Sequence, residues 1–265
     1  MIFGSEAATQ TPRFIPDDET RGWLAGALTD VINHLGAAAL EPRWLADPQP
    51  RGLPAATDLD SLFELLCELQ DQIGQGDIEF TLLEMQQGDP SVPSGFEAVG
   101  DPTGHLMHTF ARGDDEKIIL VSSGLFRVKE LLMASIAREL GRIGLMQAGP
   151  SEVLATLEDE AAAELAGVAL GMAPWLANGA YIFENSCCGG GGCGINLREI
   201  RAGLSLPEIC YALALDARRK GMSRWGAGKG LMPTQKAAFK ASWAASRKGG
   251  EAAALPAASG KALRA

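Results

Sequence analysis

Apolar residues recur every three or four positions over most of this chain, and the places where that rhythm fails mark changes of architecture. Asp17 or Asp18 can cap a first helix running to about Ala37, with Trp23, Leu24, Leu28, Val31 and Ile32 on one stripe. Residues 41–56 are rich in proline and read as a linker. Thr57 opens a second helix with Leu59, Leu62, Phe63, Leu66 and Leu69 turned inward, ending near Gly74-Gln75-Gly76. The period then shortens. Residues 78–83, 105–110 and 117–121 read as strands, separated by a Gly-, Pro- and Ser-bearing loop at 87–103 and a turn at Arg112-Gly113-Asp114-Asp115. Helical spacing returns at 127–147 and stops at Gly149-Pro150. It resumes behind Ser151 to about Met172, ahead of Pro174, then behind Ser205 and Pro207 over 206–221, and again over 233–247. From Gly249 onward Gly, Ala, Ser and Pro dominate and predict a mobile tail. The fold class expected is α+β: an N-terminal helical region over 1–76, a core over 77–221 in which a small antiparallel or mixed sheet precedes helices, and a basic helix with a flexible tail over 222–265.

Composition supports a sizeable core, with 46% of residues hydrophobic and 21% charged. No uninterrupted apolar stretch reaches about 18 residues, and no basic region leads into an apolar core near Met1. A cytoplasmic protein without a membrane span is the expectation. The net charge of −10 conceals a division. Residues 1–216 carry 12 basic and 32 acidic side chains, a balance of −20, whereas residues 217–265 carry 11 basic and one acidic (Glu251), a balance of +10. A basic tail on an acidic body predicts docking on that body, on an acidic partner or on nucleic acid.

The most informative segment is Arg138-Glu139-Leu140-Gly141-Arg142. Positions 138 and 142 share a helix face, and histidine at both would complete the His-Glu-x-x-His zinc-binding helix. On a helical wheel the buried stripe is Leu132, Ile136, Leu140 and Ile143, and Arg138 lies about 200° around from Ile136. The arginines therefore point to water or into a cleft. A later segment, Glu158-Asp159-Glu160-Ala161-Ala162-Ala163-Glu164-Leu165, puts Glu160 and Glu164 on one face. With Leu170-Gly171-Met172, the stretch Trp175-Leu176-Ala177-Asn178-Gly179-Ala180-Tyr181, and Tyr211-Ala212-Leu213-Ala214-Leu215, this order resembles bacterial zincin-like metallopeptidase-related proteins of the His-Glu-x-x-His type over roughly residues 115–220.

The resemblance implies Glu139 as the general base, Glu160 as the third metal ligand and Glu164 as an acid supporting a ligand from behind. Arg138 and Arg142 stand where the histidines belong, and a guanidinium, always protonated and without a free lone pair, cannot ligate zinc. Two neutral imidazoles with Zn²⁺ carry the same +2 as two arginines, so Glu160 and Glu164 are expected between the arginines in a salt-bridge cluster. The competing expectation is surface arginines paired with Glu139 or solvent. The functional expectation is a catalytically inactive metallopeptidase-like protein, without a cofactor, that acts by binding a protein partner in an assembly or regulatory complex.

Two alternatives rest on other residues. Cys187, Cys188 and Cys193 fall within one seven-residue span around a glycine run, and their thiolates could ligate zinc, with His105, His108 or a carboxylate as fourth ligand, in a metal-binding protein or metal-dependent hydrolase. The paired Cys-x-x-Cys spacing is missing, and a loop of free thiols or a Cys188–Cys193 disulfide competes. Cys67 and Cys210 read as buried free thiols. His34 reads as an edge residue of the first helix. His105 and His108 straddle a predicted strand, which would place them on opposite faces. Gly226-Ala227-Gly228-Lys229-Gly230 lacks the upstream glycine and the following Ser or Thr of a phosphate loop. Finally, Trp225, Phe239 and Trp243 lie among Arg218, Arg219, Lys220, Arg224, Lys229, Lys236, Lys240, Arg247 and Lys248, a composition that can bind nucleic acid. The competing reading is an amphipathic helix packing Ala237, Ala238, Ala241, Ala244 and Ala245 while Lys236, Lys240 and Arg247 stay in water.

Overall fold

The computed structural model describes residues 14–47, 55–85, 92–113, 115–184 and 202–259. The fold is α+β. Helix α1 (Asp18–Leu35) starts at Asp17, whose carboxylate accepts from Thr20 N, and a short α2 (Ala37–Leu40) follows. Helix α3 (Leu59–Ile73) is opened by a reciprocal cap between Asp58 and Ser61 and closed by Gly74 at φ 77°, a left-handed position that glycine adopts without strain. Four strands come next: β1 (Thr81–Glu84), β2 (Glu97–Ala98), β3 (Met107–Arg112) and β4 (Glu116–Val121). They form one mixed sheet in the order β1-β4-β3-β2, with β1 parallel to β4 and the other pairs antiparallel. The remaining helices are α4 (Lys129–Ala148), α5 (Asp159–Gly167), α6 (Ala173–Glu184), α7 (Leu206–Arg219), α8 (Arg224–Ala227), α9 (Pro233–Gly249) and α10 (Glu251–Ala254). Among the described residues no helix is long and apolar enough to cross a membrane.

One apolar cluster runs from Leu24 through α3, α4, α5, α6 and α7 to Leu255, so all three sequence regions share it. A smaller cluster of Phe110, Ile118 and Leu120 packs under Leu83, Met85, Val92, Phe96 and Ala98 on the other side of the sheet. Helix α4 lies at the centre and is buried on every side from Leu131 to Gly144, arginines included. Its crossing with α5 is close because both helices present glycine. A Cβ on Gly141 would lie 2.2 Å from the Ala163 carbonyl oxygen, and one on Gly167 would lie 2.7 Å from that of Ala137.

Several elements differ from the periodicity. The helix expected from Ser151 to Met172 begins only at Asp159, after a short 3₁₀ turn at Leu154–Thr156. It ends in a wide π turn at Val168–Met172, where Gly171 reaches φ 100°. Pro174 does not end a helix. It is the second residue of α6, where its missing N–H breaks no intrahelical bond. The turn frees the Ala169 carbonyl, which accepts from Lys220 Nζ at 3.0 Å and Arg219 Nη2 at 3.3 Å. Asp216 neutralises both cations, at 2.7 Å each. Burial, against the pull of Asp216, brings the Lys220 ammonium down to about 8.

Trp23 and Phe63, expected inside, are 41% and 44% exposed. The segment after Gly249 is not a free tail as far as Ser259: Leu255 is buried, and Ser259 N donates to the Leu40 carbonyl.

Candidate functional site

The two arginines of α4 are 2% and 3% exposed, so the reading of them as surface side chains fails. Arg142 Nε donates to Glu139 Oε2 at 3.1 Å, Nη2 to Glu160 Oε1 at 2.7 Å and Nη1 to the Val99 carbonyl at 2.8 Å. Arg138 Nε and Nη2 lie 3.1 and 3.0 Å from Glu164 Oε1, and Nε is 3.6 Å from Glu160 Oε2. Glu160 thus sits between both guanidiniums. Glu164 holds Arg138 and also accepts from Gly203 N at 3.2 Å and Leu204 N at 2.8 Å. Gly203 makes that approach feasible, since a Cβ there would meet the Glu160 backbone at 2.4 Å.

Glu139 is fully buried and faces β3. Its Oε2 accepts from Thr109 N at 2.9 Å and Thr109 Oγ1 at 2.8 Å as well as from Arg142. Burial pushes its carboxyl up, but Arg142, His108, Arg138 and the Thr109 hydrogen bond together outweigh that and leave it below the usual range. A general base must offer a lone pair to a water, and this carboxylate is closed off from solvent. Its position matches the base of the motif, but its surroundings do not.

His105 and His108 join the cluster, which spacing alone did not foresee. Strand β3 begins at Met107, so His105 lies before it and strand alternation does not apply to the pair. Their rings stack with centroids 5.5 Å apart. Arg138 Nη1 approaches His105 Nδ1 at 3.0 Å. A guanidinium only donates, so Nδ1 must be the bare nitrogen and the ring proton sits on Nε2, 3.4 Å from Glu160 Oε2. Burial first, then Arg138, pulls His105 down to about 3, and burial pulls His108 down to about 4 despite Glu139. Both are neutral near pH 7.

With neutral histidines, two guanidiniums face three carboxylates and the cluster carries −1. Burial raises the Glu160 carboxyl above the usual range in spite of Arg142 and Arg138. The Arg142 guanidinium, opposed by burial, is held more firmly protonated by Glu139 and Glu160. The network reaches a cleft of about 260 Å³ lined by Asp101, His105, Glu158, Asp159, Glu160 and Ala202, with the arginines one layer behind Glu160.

Chemically, the arrangement ties α4, α5, β3 and the 202–204 segment together through charge-assisted hydrogen bonds. It does not fit zinc, because cations occupy the positions where two ligands would be needed. Among the described residues no group of three or more His, Cys, Asp or Glu is arranged to hold a metal ion. Cys187, Cys188 and Cys193 lie outside the described residues. Cys210 is buried, with Sγ 3.8 Å from the Gln235 carbonyl, and Cys67 is half-buried. His34 bonds the Gly149 carbonyl through Nε2 at 2.9 Å and links α1 to the end of α4.

Comparison with protein-family models, with curated proteins and with solved structures finds no match to this chain. Thr109, Val99, His105 and His108 are the members that the sequence reading did not place there. Val99 enters through its backbone carbonyl and Thr109 through its backbone N–H and its hydroxyl, which the linear pattern does not place against α4.

Proposed function

We propose that this chain is a metallopeptidase-like framework whose hydrolytic centre has been replaced by an internal ion-pair network, and that it acts by binding a protein partner instead of by catalysis. The observation that carries the reading is the placement of Arg138 and Arg142 against Glu160 and Glu164, the four positions that a zinc helix and its supporting helix would use. Two guanidiniums supply the +2 that two neutral imidazoles and Zn²⁺ would supply, so the surrounding carboxylates keep their counter-charge. Glu139, turned to Thr109 and sealed from solvent, serves as an anchor between α4 and β3 in this reading.

The test is zinc uptake and hydrolysis of fluorescent casein by the wild-type chain and by an Arg138→His/Arg142→His variant. The wild type, dialysed against zinc, should retain less than about a tenth of an equivalent at this site and hydrolyse nothing above background. The double variant should retain about one equivalent, with Glu160 as third ligand. Wild-type hydrolysis that is abolished by Glu139→Gln would overturn the proposal.

A further inference from the structure

Residues 217–250 contain nine basic side chains and no acidic one. Two of the nine, Arg219 and Lys220, are consumed inside the protein by Asp216 and the Ala169 carbonyl. Arg218 is partly buried, and Arg224, Lys229, Lys236, Lys240 and Arg247 are exposed. Helix α9 buries Ala238, Phe239, Ser242, Ala245 and Ser246 against α7, and turns Lys236, Lys240 and Arg247 to solvent. Ala237 and Ala244, expected in the packed stripe, are instead exposed between these cations. They leave the basic face low and unobstructed. Lys236, Lys240 and Arg247 follow one another with axial rises of about 6 and about 10 Å. Arg224 and Lys229 continue the charge from α8 and the loop beyond it. Among the described residues none of these five exposed cations has a carboxylate within ion-pair distance, although residues 1–216 carry −20.

The face also has shape and aromatic rings. A cleft of about 530 Å³ is lined by Arg224, Trp243, Ala244 and Arg247. Trp243 is braced on one side: the Arg218 guanidinium stands 4.1 Å from its ring centroid and is fixed by bonds to Ser246 Oγ at 2.9 Å and the Trp243 carbonyl at 2.7 Å. Burial, and next the nearby Arg247, push the Arg218 guanidinium below its usual range. Trp225 is 79% exposed, with the Arg224 guanidinium 5.5 Å from its ring centroid. An indole left in water beside a guanidinium contributes nothing to the core.

We infer that the α8–α9 face is a binding surface for single-stranded nucleic acid, with phosphates on Arg224, Arg247, Lys240 and Lys236 and a base stacked on Trp225. Un-neutralised cations alone would suit any polyanion. The exposed indole and the arginine-walled cleft select one with flat rings to stack, because every base offers a π face while an acidic peptide offers carboxylates only.

The test uses the full chain and a fluorescein-labelled oligothymidine of about 15 nucleotides, followed by fluorescence anisotropy. Saturable binding is expected at about 50 mM salt, with a log–log salt slope between about −2 and −3 for three or four phosphates neutralised. Trp225→Ala should weaken binding about tenfold and leave the slope unchanged, since stacking releases no counter-ions. Arg224→Glu/Arg247→Glu should weaken it more than tenfold and flatten the slope by at least about one. All three side chains are exposed, and circular dichroism checks that the variants stay folded. No saturable binding, a Trp225→Ala affinity equal to wild type, or displacement of the oligonucleotide by polyglutamate at equal charge would each overturn the assignment. These residues lie outside the Arg138–Glu160 network, so a failure here leaves the zinc and casein measurements to decide the other proposal independently.

Discussion

Removing Arg142 tests whether the buried network holds the fold. In Arg142→Met a long unbranched side chain keeps most of the volume, but three hydrogen bonds disappear: to Glu139, to Glu160 and to the Val99 carbonyl. Glu139 and Glu160 are then two buried carboxylates short of a cation, with Arg138 alone against three acids. Breaking a buried ion pair from one side costs about 3–5 kcal/mol, a large part of the total stability of an ordinary domain. With a urea slope of about 2 kcal/mol/M, the midpoint at pH 7 should fall by about 1.5–2.5 M. Glu160→Gln alone should be mild, within about 1 kcal/mol, because it removes the surplus negative charge and leaves an acceptor for Arg142. Combining the two should recover about 1–2 kcal/mol relative to the sum of the single effects. A midpoint shift under about 0.5 M for Arg142→Met, with an unchanged slope, would refute the idea that this network carries stability.

Acid should destabilise the protein well before ordinary carboxylates titrate. His105 and His108 have folded values near 3 and 4 and unfolded values near 6.5, so as pH falls from about 6.5 the unfolded chain takes up protons that the folded chain refuses, and stability drops by up to about 1.4 kcal/mol per pH unit for each histidine. Glu139, depressed in the fold, adds a further loss below about 4.5, whereas Glu160, raised in the fold, acts in the opposite sense just above that value. Urea midpoints measured across pH 7 to 4.5 check this, and His108→Leu should flatten the profile. Gly141→Ala puts a methyl 2.2 Å from the Ala163 carbonyl oxygen and should lower the thermal midpoint by about 5 °C or more. Gly22→Ala meets nothing within 4 Å inside α1 and should stabilise by about 0.5–1 kcal/mol; scanning calorimetry separates the two.

Much of the site was legible along the chain. The i, i+4 spacing of Arg138 and Arg142, and that of Glu160 and Glu164, put each pair on one helix face, and opposite charges at matched spacing anticipate the pairing seen. The α+β class followed from where the apolar period shortens and lengthens. Charge asymmetry likewise marked residues 217–265 before any coordinates. These properties are local or additive, and a linear pattern records them fully.

Burial all around α4 was not legible, because it depends on how many elements surround the helix, and its arginines read as polar from either setting. The π turn at Val168–Met172 hid in an unbroken apolar run, since its freed carbonyl is satisfied by Lys220 and Arg219 some fifty residues away. The inclusion of His105, Thr109 and Val99 depended on where β3 begins and on backbone atoms that every residue shares. Residue types and spacings told which charges this protein had to bring together. Only the packing of α4 against β3 and, through glycines at their crossing, against α5 decided that they would meet out of reach of water, where each ion must be answered by another.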